Sequence, residues 1–369
     1  MKIGIVTIHH AKYSYGAVLQ AIAMCRICQR WSDYVEIINY ENKYEQKDIK
    51  LLNSSFLKKI SVFTNYITRH ILFGAWKNPY RNKKNLDNIY KCVTKEKFYC
   101  ISQMKRLNYD ILICGSDQIW NPQIMNGVDP VFFLDFGNAK RRVAYAASMG
   151  SYILKASDKI EFSKYLSNFS SISVREEHAK NQLQKLTNKK ISINVDPTLL
   201  LSSLEWDKEL NIENDSILDK QKYILTFFVW NGFSTYQKDV NKYAKALDLP
   251  IWNVQSHSYK AKGVDKVIQA PTVNRFVQLL KNATLVITNS FHGVAFSINY
   301  NKPFVPIINA MNPARVMGLL RELDIENGIG IAPDRVFNYI NYSKVNVHLD
   351  VMRKDSIIWL ENAIKGNFS

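Results

Sequence analysis

Short apolar runs alternate along the chain with longer stretches whose apolar residues recur at helical spacing. Each run covers about three to seven residues and ends in turn or cap residues, which is typical of buried strands. In the first half these runs are 2–8, 35–39, 111–114, 142–147 and 172–174, and in the second half they are 223–229, 251–254, 285–288 and 304–308. The pattern therefore predicts two successive groups of strands.

Stretches of helical spacing lie between these strands. The predicted helices cover residues 16–30, 235–247, 272–281 and 291–299. Strands that alternate with helices are typical of α/β layers around parallel sheets, so we predict two α/β units. The join falls between Asp196-Pro197 and the polar stretch 211–222, and we place the two domains at 1–195 and 196–369. A helix at the end of the chain could pack back on the first domain.

The composition is that of an ordinary folded protein. Its 369 residues are enough for two hydrophobic cores, and 47% hydrophobic with 22% charged residues excludes a disordered or collagen-like chain. No run approaches the roughly 18 apolar residues of a membrane span, and the stretch before His9 is too short for a signal-peptide core. Five cysteines, an odd and sparse number, fit a reducing compartment. We therefore expect a cytoplasmic protein.

Positive charge is concentrated in one segment. Lys and Arg number 49 against 32 Asp and Glu, a formal net charge of +17. Residues 50–109 hold 13 Lys and Arg but only Asp87 and Glu96, with nine aromatic residues between Phe56 and Tyr99. Such a segment attracts polyanions, and cations beside amphipathic rings suit an anionic membrane surface or nucleic acid. A solvated face is the plainer alternative, and nucleic acid is the least favoured.

Polar residues recur where the predicted strands end. The first strand is followed by His9, His10, Ser14, Tyr15 and Gly16, the third by GSDQIWNP at 115–122, the fifth by Arg175 and Glu176, and strand 285–288 by NSFHG at 289–293. In open parallel sheets, ligands bind at the carboxyl ends of strands, where loops and helix N-termini meet. We therefore expect the functional site at this edge.

The run NSFHG is a candidate anion site. Ser290 or Asn289 can cap a helix that begins near Phe291, which puts His292 and Gly293 in its first turn. The free N–H groups and dipole of that turn attract anions, and the imidazole adds a donor. The alternative is an ordinary capped helix with a hydrogen-bonded histidine. Arg175 leaves the same choice open, because it either binds an anion or pairs with the Glu residues that follow it.

Other motifs carry less weight. Cys25 and Cys28 have the spacing of half a redox or zinc site, but they lie in a predicted helix without a second pair nearby, so buried thiols are the plainer interpretation. The sequence contains no GxGxxG, P-loop, HExxH or GxSxG run. Hydride transfer on a nucleotide, P-loop hydrolysis, zinc proteolysis and α/β-hydrolase chemistry therefore lose their usual support.

A series of runs in order along residues 1–310 resembles one family. The runs are YGAVLQ at 15–20, GSDQIWNP at 115–122, SVRE at 173–176, DPTLLL at 196–201, TNSFHG at 288–293 and NKP at 301–303. Together they resemble the polysaccharide pyruvyl transferase family, and the second and fifth runs are the most specific. The chain departs from the family at Glu176, where Asp is usual, and at Ser14, where Asn is frequent.

This resemblance implies two Rossmann-like α/β domains facing across a cleft, similar to GT-B glycosyltransferases, with the acceptor at the first and the donor at the second. The implied reaction transfers pyruvate from phosphoenolpyruvate to a sugar as a ketal and releases phosphate, in surface polysaccharide biosynthesis. Phosphoenolpyruvate is a co-substrate, so we expect no cofactor and no metal. A sugar acceptor on a polyprenyl diphosphate would explain the basic segment as a contact with the inner membrane face.

The resemblance also implies roles for particular residues. The donor's phosphate and carboxylate need several cations or N–H donors, and we expect Arg175 and His292 to hold them, with Ser290, Gly293 and Lys302 as further contacts. Proton transfer to the enol and from the sugar hydroxyls needs an acid and a base, for which Glu176, Asp117 and His292 are candidates. The residues expected to bind the acceptor are His9, His10, Tyr15, Gly16, Ser116 and Gln118.

Two other functions stay open. A GT-B-type glycosyltransferase would use the same Arg, His and Lys side chains to hold the diphosphate of a nucleotide sugar. A non-catalytic protein that binds polyanions or membranes would show a steep salt dependence and no response to a donor. The melting temperature in the presence of phosphoenolpyruvate or of a nucleotide sugar distinguishes these functions, because a bound ligand stabilises the fold.

Overall fold

Two parallel β-sheets form the framework of the protein. The computed structural model describes residues 1–9, 14–41, 92–229, 232–256, 258–308 and 313–368. His10 and residues 50–91 of the basic segment therefore lie outside the described residues.

The first sheet has seven strands in the order β3-β2-β1-β4-β5-β6-β7. They are β1 (Lys2–Val6), β2 (Tyr34–Tyr40), β3 (Val93–Phe98), β4 (Asn108–Cys114), β5 (Asn138–Ala147), β6 (Ser171–Val174) and β7 (Ile191–Ile193). The second sheet has five strands in the order β10-β9-β8-β11-β12. They are β8 (Ile224–Phe227), β9 (Ile251–Gln255), β10 (Lys266–Gln269), β11 (Leu285–Thr288) and β12 (Phe304–Pro306). Every one of these strand pairings is parallel.

Helices connect the strands of both sheets. In the described parts of the chain they are α1 (Tyr15–Cys28), α2 (Pro122–Met125), α3 (Ala156–Leu166), α4 (Glu177–Leu183), α5 (Pro197–Leu200), α6 (Ser203–Glu209), α7 (Phe233–Leu247), α8 (Val273–Asn282), α9 (Phe291–Asn299), α10 (Pro313–Glu322) and α11 (Tyr342–Lys365). None of these helices is both long and apolar enough for a membrane crossing.

The predicted α/β fold with two parallel sheets is confirmed. In each sheet the strand order reverses beside the first strand, between β1 and β4 and between β8 and β11. Such a reversal opens a crevice at the carboxyl ends of the strands, where ligands of doubly wound folds bind. Strands β3, β7 and β10 were not predicted, because all three lie at sheet edges and have few buried residues to give an apolar pattern.

Helix α1 packs against elements of both sheets. Of its 14 residues, 13 are buried, because it lies against β2 on one side and against α5, α8 and α9 on the other. The Tyr15 ring at its first residue stacks on Phe276 of α8, with ring centroids 4.2 Å apart. One apolar core cluster consequently contains residues of the first sheet, such as Ile5, together with residues of the second, such as Val286.

The long helix α11 follows the second sheet along the chain but packs on the first. Ser356 accepts a hydrogen bond from the Val195 backbone N–H at 3.1 Å, and Arg141 of β5 donates to the Ile364 carbonyl at 2.9 Å. Arg353 donates to the Leu199 carbonyl at 2.7 Å. These contacts place α11 against β5 and α5, as the sequence analysis allowed.

Candidate active site

Six charged or titratable side chains from five separate segments meet where the carboxyl ends of the two sheets approach each other. We call this group the charged cluster; its members are Asp117, Arg175, Glu176, Asp196, His292 and Arg315. The first four follow strands of the first sheet, and the last two lie in the first turns of α9 and α10.

Asp196 is the carboxylate at the centre of the charged cluster. It caps α5, and its Oδ1 accepts from the Thr198 N–H at 2.9 Å and the Thr198 hydroxyl at 2.7 Å. Its Oδ2 accepts from Arg175 Nη1 and lies 3.1 Å from the Ser116 hydroxyl oxygen. Burial alone would raise the pKa of this carboxyl, but Arg175, His292 and Thr198 together hold the pKa below its usual value. Asp196 is therefore ionised and fixes Arg175.

Arg175 follows β6 directly and is 7% exposed. Its Nε lies 3.2 Å from Glu176 Oε1, and its Cζ lies 4.5 Å from the centroid of the Phe291 ring. Burial would lower the pKa of the guanidinium, but Glu176, Asp196 and Asp117 outweigh it and raise the pKa. With Nε and Nη1 engaged by carboxylates, the buried Nη2 has no hydrogen-bond partner among the described residues. That N–H group is available to a ligand.

The Glu176 carboxylate accepts hydrogen bonds on both oxygens. Ser148 donates to Oε1, which Arg175 also contacts, and the Met149 backbone N–H donates to Oε2 at 3.3 Å. Each of these partners is a donor, so both carboxylate oxygens are used as acceptors. This geometry makes Glu176 a positioning residue for Arg175.

His292 lies in the first turn of α9, as predicted. Ser290 caps the helix and accepts from the Gly293 N–H at 3.3 Å. Burial lowers the pKa of the His292 imidazole to about 4, so the ring is neutral at neutral pH. Its buried Nε2 lies 3.8 Å from Asp196 Oδ1, beyond hydrogen-bond range, and has no hydrogen-bond partner within the described ranges. The imidazole is thus a neutral group with an open position toward the charged cluster.

Two glycines allow close packing at the start of α9: Gly16 makes room for the His292 ring, and Gly293 makes room for Thr288. A Cβ on Gly293 would lie 2.6 Å from Thr288 Oγ1, and a Cβ on Gly16 would lie 1.8 Å from His292 Nδ1. Neither distance is compatible with a side chain unless the helices move. Gly16 was predicted to bind the acceptor, whereas the structure uses it to seat the His292 ring against α1.

The loop after β4 carries Ser116, Asp117 and Gln118. A Cβ on Gly115 would lie 2.1 Å from the Tyr145 carbonyl, and its φ of 109° also favours glycine. Gln20 of α1 holds the loop by accepting from the Ser116 N–H at 3.1 Å while its amide donates to Thr7 at 2.8 Å. The loop thereby delivers Asp117 to the charged cluster, 3.5 Å from Arg315 Nη1.

Several residues predicted to bind the acceptor are engaged within the protein. The Ser116 hydroxyl donates to the Ala146 carbonyl at 2.8 Å, and the Gln118 carbonyl oxygen accepts from Asn121. The Tyr15 hydroxyl donates to the Pro271 carbonyl at 2.8 Å, which connects α1 to the second sheet. His9 is buried, with Nδ1 3.0 Å from the Thr7 carbonyl oxygen. These contacts show structural roles for all four side chains.

Lys302 is not brought to the charged cluster. It follows the C-terminal end of α9, a helix of nine residues and about 13 Å, whereas His292 lies at the N-terminal end. It also precedes β12, so it belongs to the amino edge of the second sheet. Lys302 was expected to be a further donor contact, but a helix after a parallel strand returns the chain to the opposite edge of the sheet, away from the charged cluster.

Two members of the charged cluster were assigned no role from sequence. Asp196 was part of the DPTLLL run, but the Asp-Pro-Thr pattern of a helix cap accounts for it equally well. Arg315 lies in NPAR at 312–315, whose only signal is a helix start after Pro313. A basic residue in the first turn of a helix is the reverse of what the helix dipole favours, and that mismatch could have drawn attention to Arg315.

The charged cluster is suited to binding an anion through N–H donors. Buried nitrogen atoms on Arg175, His292 and Arg315, unpartnered by any described residue, are gathered within it, and buried donors of this kind favour a ligand that accepts from them. Across the described ranges, no group of three or more His, Cys, Asp or Glu side chains could hold a metal ion. Cys25 and Cys28 are free, buried thiols.

Comparison with known proteins agrees with the family resemblance. A family model described as polysaccharide pyruvyl transferase matches residues 15–310. No curated protein matches the chain significantly. Similar solved structures include a UDP-GlcNAc 2-epimerase from Methanocaldococcus jannaschii in complex with UDP-GlcNAc and UDP, at 15% identity, 96% and 93% coverage of the two chains and a TM-score of 0.49. Another is the Escherichia coli heptosyltransferase WaaC with ADP, at 10% identity, 95% and 100% coverage and a TM-score of 0.39.

Proposed function

The chain belongs to the polysaccharide pyruvyl transferase family, and from this premise we propose that it transfers the pyruvyl group of phosphoenolpyruvate to two hydroxyls of one sugar. The product is a pyruvate ketal, and phosphate is released. The observation that carries the proposal is the set of buried nitrogen atoms on Arg175, His292 and Arg315 that have no partner in the described part of the chain. Phosphoenolpyruvate is small and carries a phosphate and a carboxylate, both of which can accept hydrogen bonds from these donors.

Ketal formation requires one proton to be added to the enol and two to be removed from sugar hydroxyls. A proton is added to C3 of the enol, and the oxygen of one sugar hydroxyl bonds to C2 as that hydroxyl loses its proton. The second hydroxyl then displaces phosphate from C2 and also loses its proton. We assign these proton transfers to His292 and Asp117. The imidazole has a nitrogen without a hydrogen-bond partner among the described residues, and Asp117 lies in the loop after β4. Glu176 orients Arg175 instead of donating a proton.

Binding a multiply charged anion here requires a change in the local charge. The charged cluster holds two guanidinium groups and three carboxylates, with a neutral imidazole. An added anion raises the pKa of a neighbouring imidazole, so donor binding should bring a proton onto His292. The same protonation equips His292 to act as the acid toward the enol.

We also propose that the acceptor is carried on a lipid at the membrane surface. The support is the basic segment, whose described end includes the exposed side chains of Lys95, Tyr99, Lys105 and Arg106 around the edge strand β3. Cations beside an exposed ring suit an anionic lipid surface, at about 1 kcal/mol for each Lys or Arg near it.

Phosphate release from phosphoenolpyruvate tests the proposed reaction. The assay uses the full chain with a panel of free sugars, lipid-linked sugars and nucleotide-linked sugars. We expect phosphate to appear only with both phosphoenolpyruvate and an acceptor, together with a product that is heavier by a pyruvate ketal. Stabilisation by a nucleotide sugar, combined with no response to phosphoenolpyruvate, would instead favour a glycosyltransferase.

A further inference from the structure

Arg315 is a buried cation with unused bonding capacity. Its side chain is 11% exposed, and its Cζ lies 5.9 Å from the centroid of the Phe291 ring, the same ring that Arg175 covers. Its Nη1 lies 3.5 Å from Asp117 Oδ1, the outer limit of a hydrogen bond. Its Nε is buried without a hydrogen-bond partner from the described segments.

This arrangement is costly for the protein by itself. Two guanidinium groups near one aromatic ring repel each other, and burial together with Arg175 lowers the pKa of Arg315. Arg175 is held by close contacts with Asp196 and Glu176, whereas Arg315 has the single, longer contact with Asp117 among its ion pairs in the described chain. An anionic ligand beside both guanidinium groups would offset their mutual repulsion. It would also accept hydrogen bonds from the unpartnered N–H groups of Arg175 and Arg315.

The start of the helix that carries Arg315 is anchored to the first domain. The Ala314 N–H in the first turn of α10 donates to the Ser151 hydroxyl at 3.1 Å, which anchors the start of the helix to the first domain. Arg315 follows Ala314 directly, so its backbone is fixed beside the first domain while its guanidinium is held by the longer contact with Asp117.

We propose that Arg315 is a donor-binding residue, and that its ion pair with Asp117 is exchanged for the anionic donor when the donor binds. This inference rests on the proposed function and adds a residue and a step to it. The guanidinium moves from the Asp117 carboxylate to the phosphate or carboxylate of phosphoenolpyruvate. The exchange also frees the Asp117 carboxylate from that cation, so that it can accept a hydrogen bond from a sugar hydroxyl.

Calorimetric titration with phosphoenolpyruvate tests this exchange. Arg315→Met keeps an unbranched apolar stem and removes the charged guanidinium, and we expect the affinity to fall about 10- to 150-fold. Arg321→Met is the matched control, because Arg321 lies on the same helix, is 69% exposed and pairs with Glu326 away from the charged cluster. This control should bind the donor like the wild type. Asp117→Asn should bind it more tightly, since Arg315 no longer has to leave a carboxylate.

The double variant Arg315→Met with Asp117→Asn separates binding from a structural role. If Arg315 only neutralised Asp117, removing both charges would restore wild-type affinity, and that result would overturn the inference. We expect the double variant to bind as weakly as Arg315→Met, even though its buried charge is balanced. Asn tolerates the positive φ of 64° at position 117, so this substitution adds no backbone strain.

The proposed donor and the role of Arg315 can fail separately. If the wild type gives no heat with phosphoenolpyruvate, the donor is wrong, and the same four proteins are titrated with inorganic phosphate. A loss of phosphate affinity in Arg315→Met but not in Arg321→Met would still support Arg315 as an anion-binding residue. Equal affinity of wild type and Arg315→Met for both anions would show that Arg315 does not bind the ligand.

Discussion

At the scale of single residues, Glu176 shows how a carboxylate beside a reactive site can serve geometry alone. Both of its oxygens accept from donors on Arg175, Ser148 and Met149. Gln keeps one accepting oxygen for these partners, so we expect Glu176→Gln to retain turnover within about tenfold of the wild type and Glu176→Ala to raise the KM for phosphoenolpyruvate much further. A general acid would instead lose about 10²- to 10⁴-fold in the Gln variant. Steady-state kinetics on both variants distinguishes the two roles.

His292 should make the stability of the protein depend on pH. The pKa of its imidazole is about 4 in the folded chain, against 6.5 for an ordinary histidine, because burial disfavours the charged ring. Between these values the unfolded chain binds more protons, so the free energy of unfolding rises with pH by up to about 3 kcal/mol and is lost again as pH falls toward 4.

Denaturant unfolding between pH 4 and pH 7 measures this effect. In His292→Gln the rise should shrink, whereas His348→Gln should keep it, because His348 lies exposed on α11. An unchanged pH profile in His292→Gln would contradict the assignment of a depressed pKa to this imidazole.

Residues differ in how far sequence could place them. Arg175 and His292 were predicted at one edge because each follows a strand, and the structure brings both to Asp196. Arg315 escaped notice because its helix begins with an ordinary Pro and because it lies several residues beyond the end of β12. Tyr15 was predicted to bind the acceptor, but its hydroxyl bonds to the Pro271 carbonyl. Whether a hydroxyl faces solvent or a carbonyl depends on packing between distant segments, which local sequence does not encode.

At the scale of secondary-structure elements, the N-termini of α1 and α9 face each other across the two sheets. Gly16 near the start of α1 leaves the space that the His292 ring of α9 fills. Ala is a better helix former than Gly by about 1 kcal/mol, which offsets part of the strain in Gly16→Ala. We therefore expect this variant to fold and to lose about 10- to 150-fold in donor affinity as the imidazole is displaced.

The matched control for this variant is Gly318→Ala. It adds the same methyl group within α10, where it would meet none of the described residues within 4 Å. Donor affinity should be unchanged and stability slightly increased. Equal affinity of Gly16→Ala and the wild type would mean that the position of the His292 ring is unimportant for binding.

The alternation of strands and helices was accessible to sequence for a physical reason. Central strands such as β4 and β11 are buried on both faces and read as continuous apolar runs. The edge strand β3 carries Lys95, Glu96 and Lys97 in its middle and gives no such signal. A residue just before a strand lies at the amino edge of the sheet, and a residue just after a strand lies at the carboxyl edge. Lys302 precedes β12, and the prediction for Lys302 did not take this direction into account.

At the scale of the whole molecule, the distribution of positive charge gives a prediction about membrane binding. Replacing Lys95, Lys105 and Arg106 together by Gln removes three exposed cations near β3. At about 1 kcal/mol each, binding to anionic vesicles should weaken by about two orders of magnitude at low salt, and by less at physiological salt. Turnover of a lipid-linked acceptor in vesicles should fall, while turnover of a water-soluble acceptor stays normal.

The control for this experiment replaces Lys220, Lys222 and Lys260, which are exposed in the second domain, by Gln. It makes the same change in net charge at another place. If both triple variants lose vesicle binding equally, the attraction depends on total charge and not on the surface around β3. Vesicle cosedimentation at low and at physiological salt measures membrane binding by both triple variants. The assays with the lipid-linked and the water-soluble acceptor measure their turnover.

The position of α11 has a consequence for the order in which the protein is made. The last strand of the first sheet ends at Ile193, but the helix that covers part of its face begins only at Tyr342. At about 5–20 residues per second, the ribosome needs roughly 7 to 30 s to synthesise the chain between them. For that time the Tyr145 ring lacks its contact with Trp359, and the Val195 N–H lacks its hydrogen bond to Ser356. Until α11 has been synthesised, part of the apolar surface of the first domain is exposed, and chaperones that bind unfinished chains can contact it.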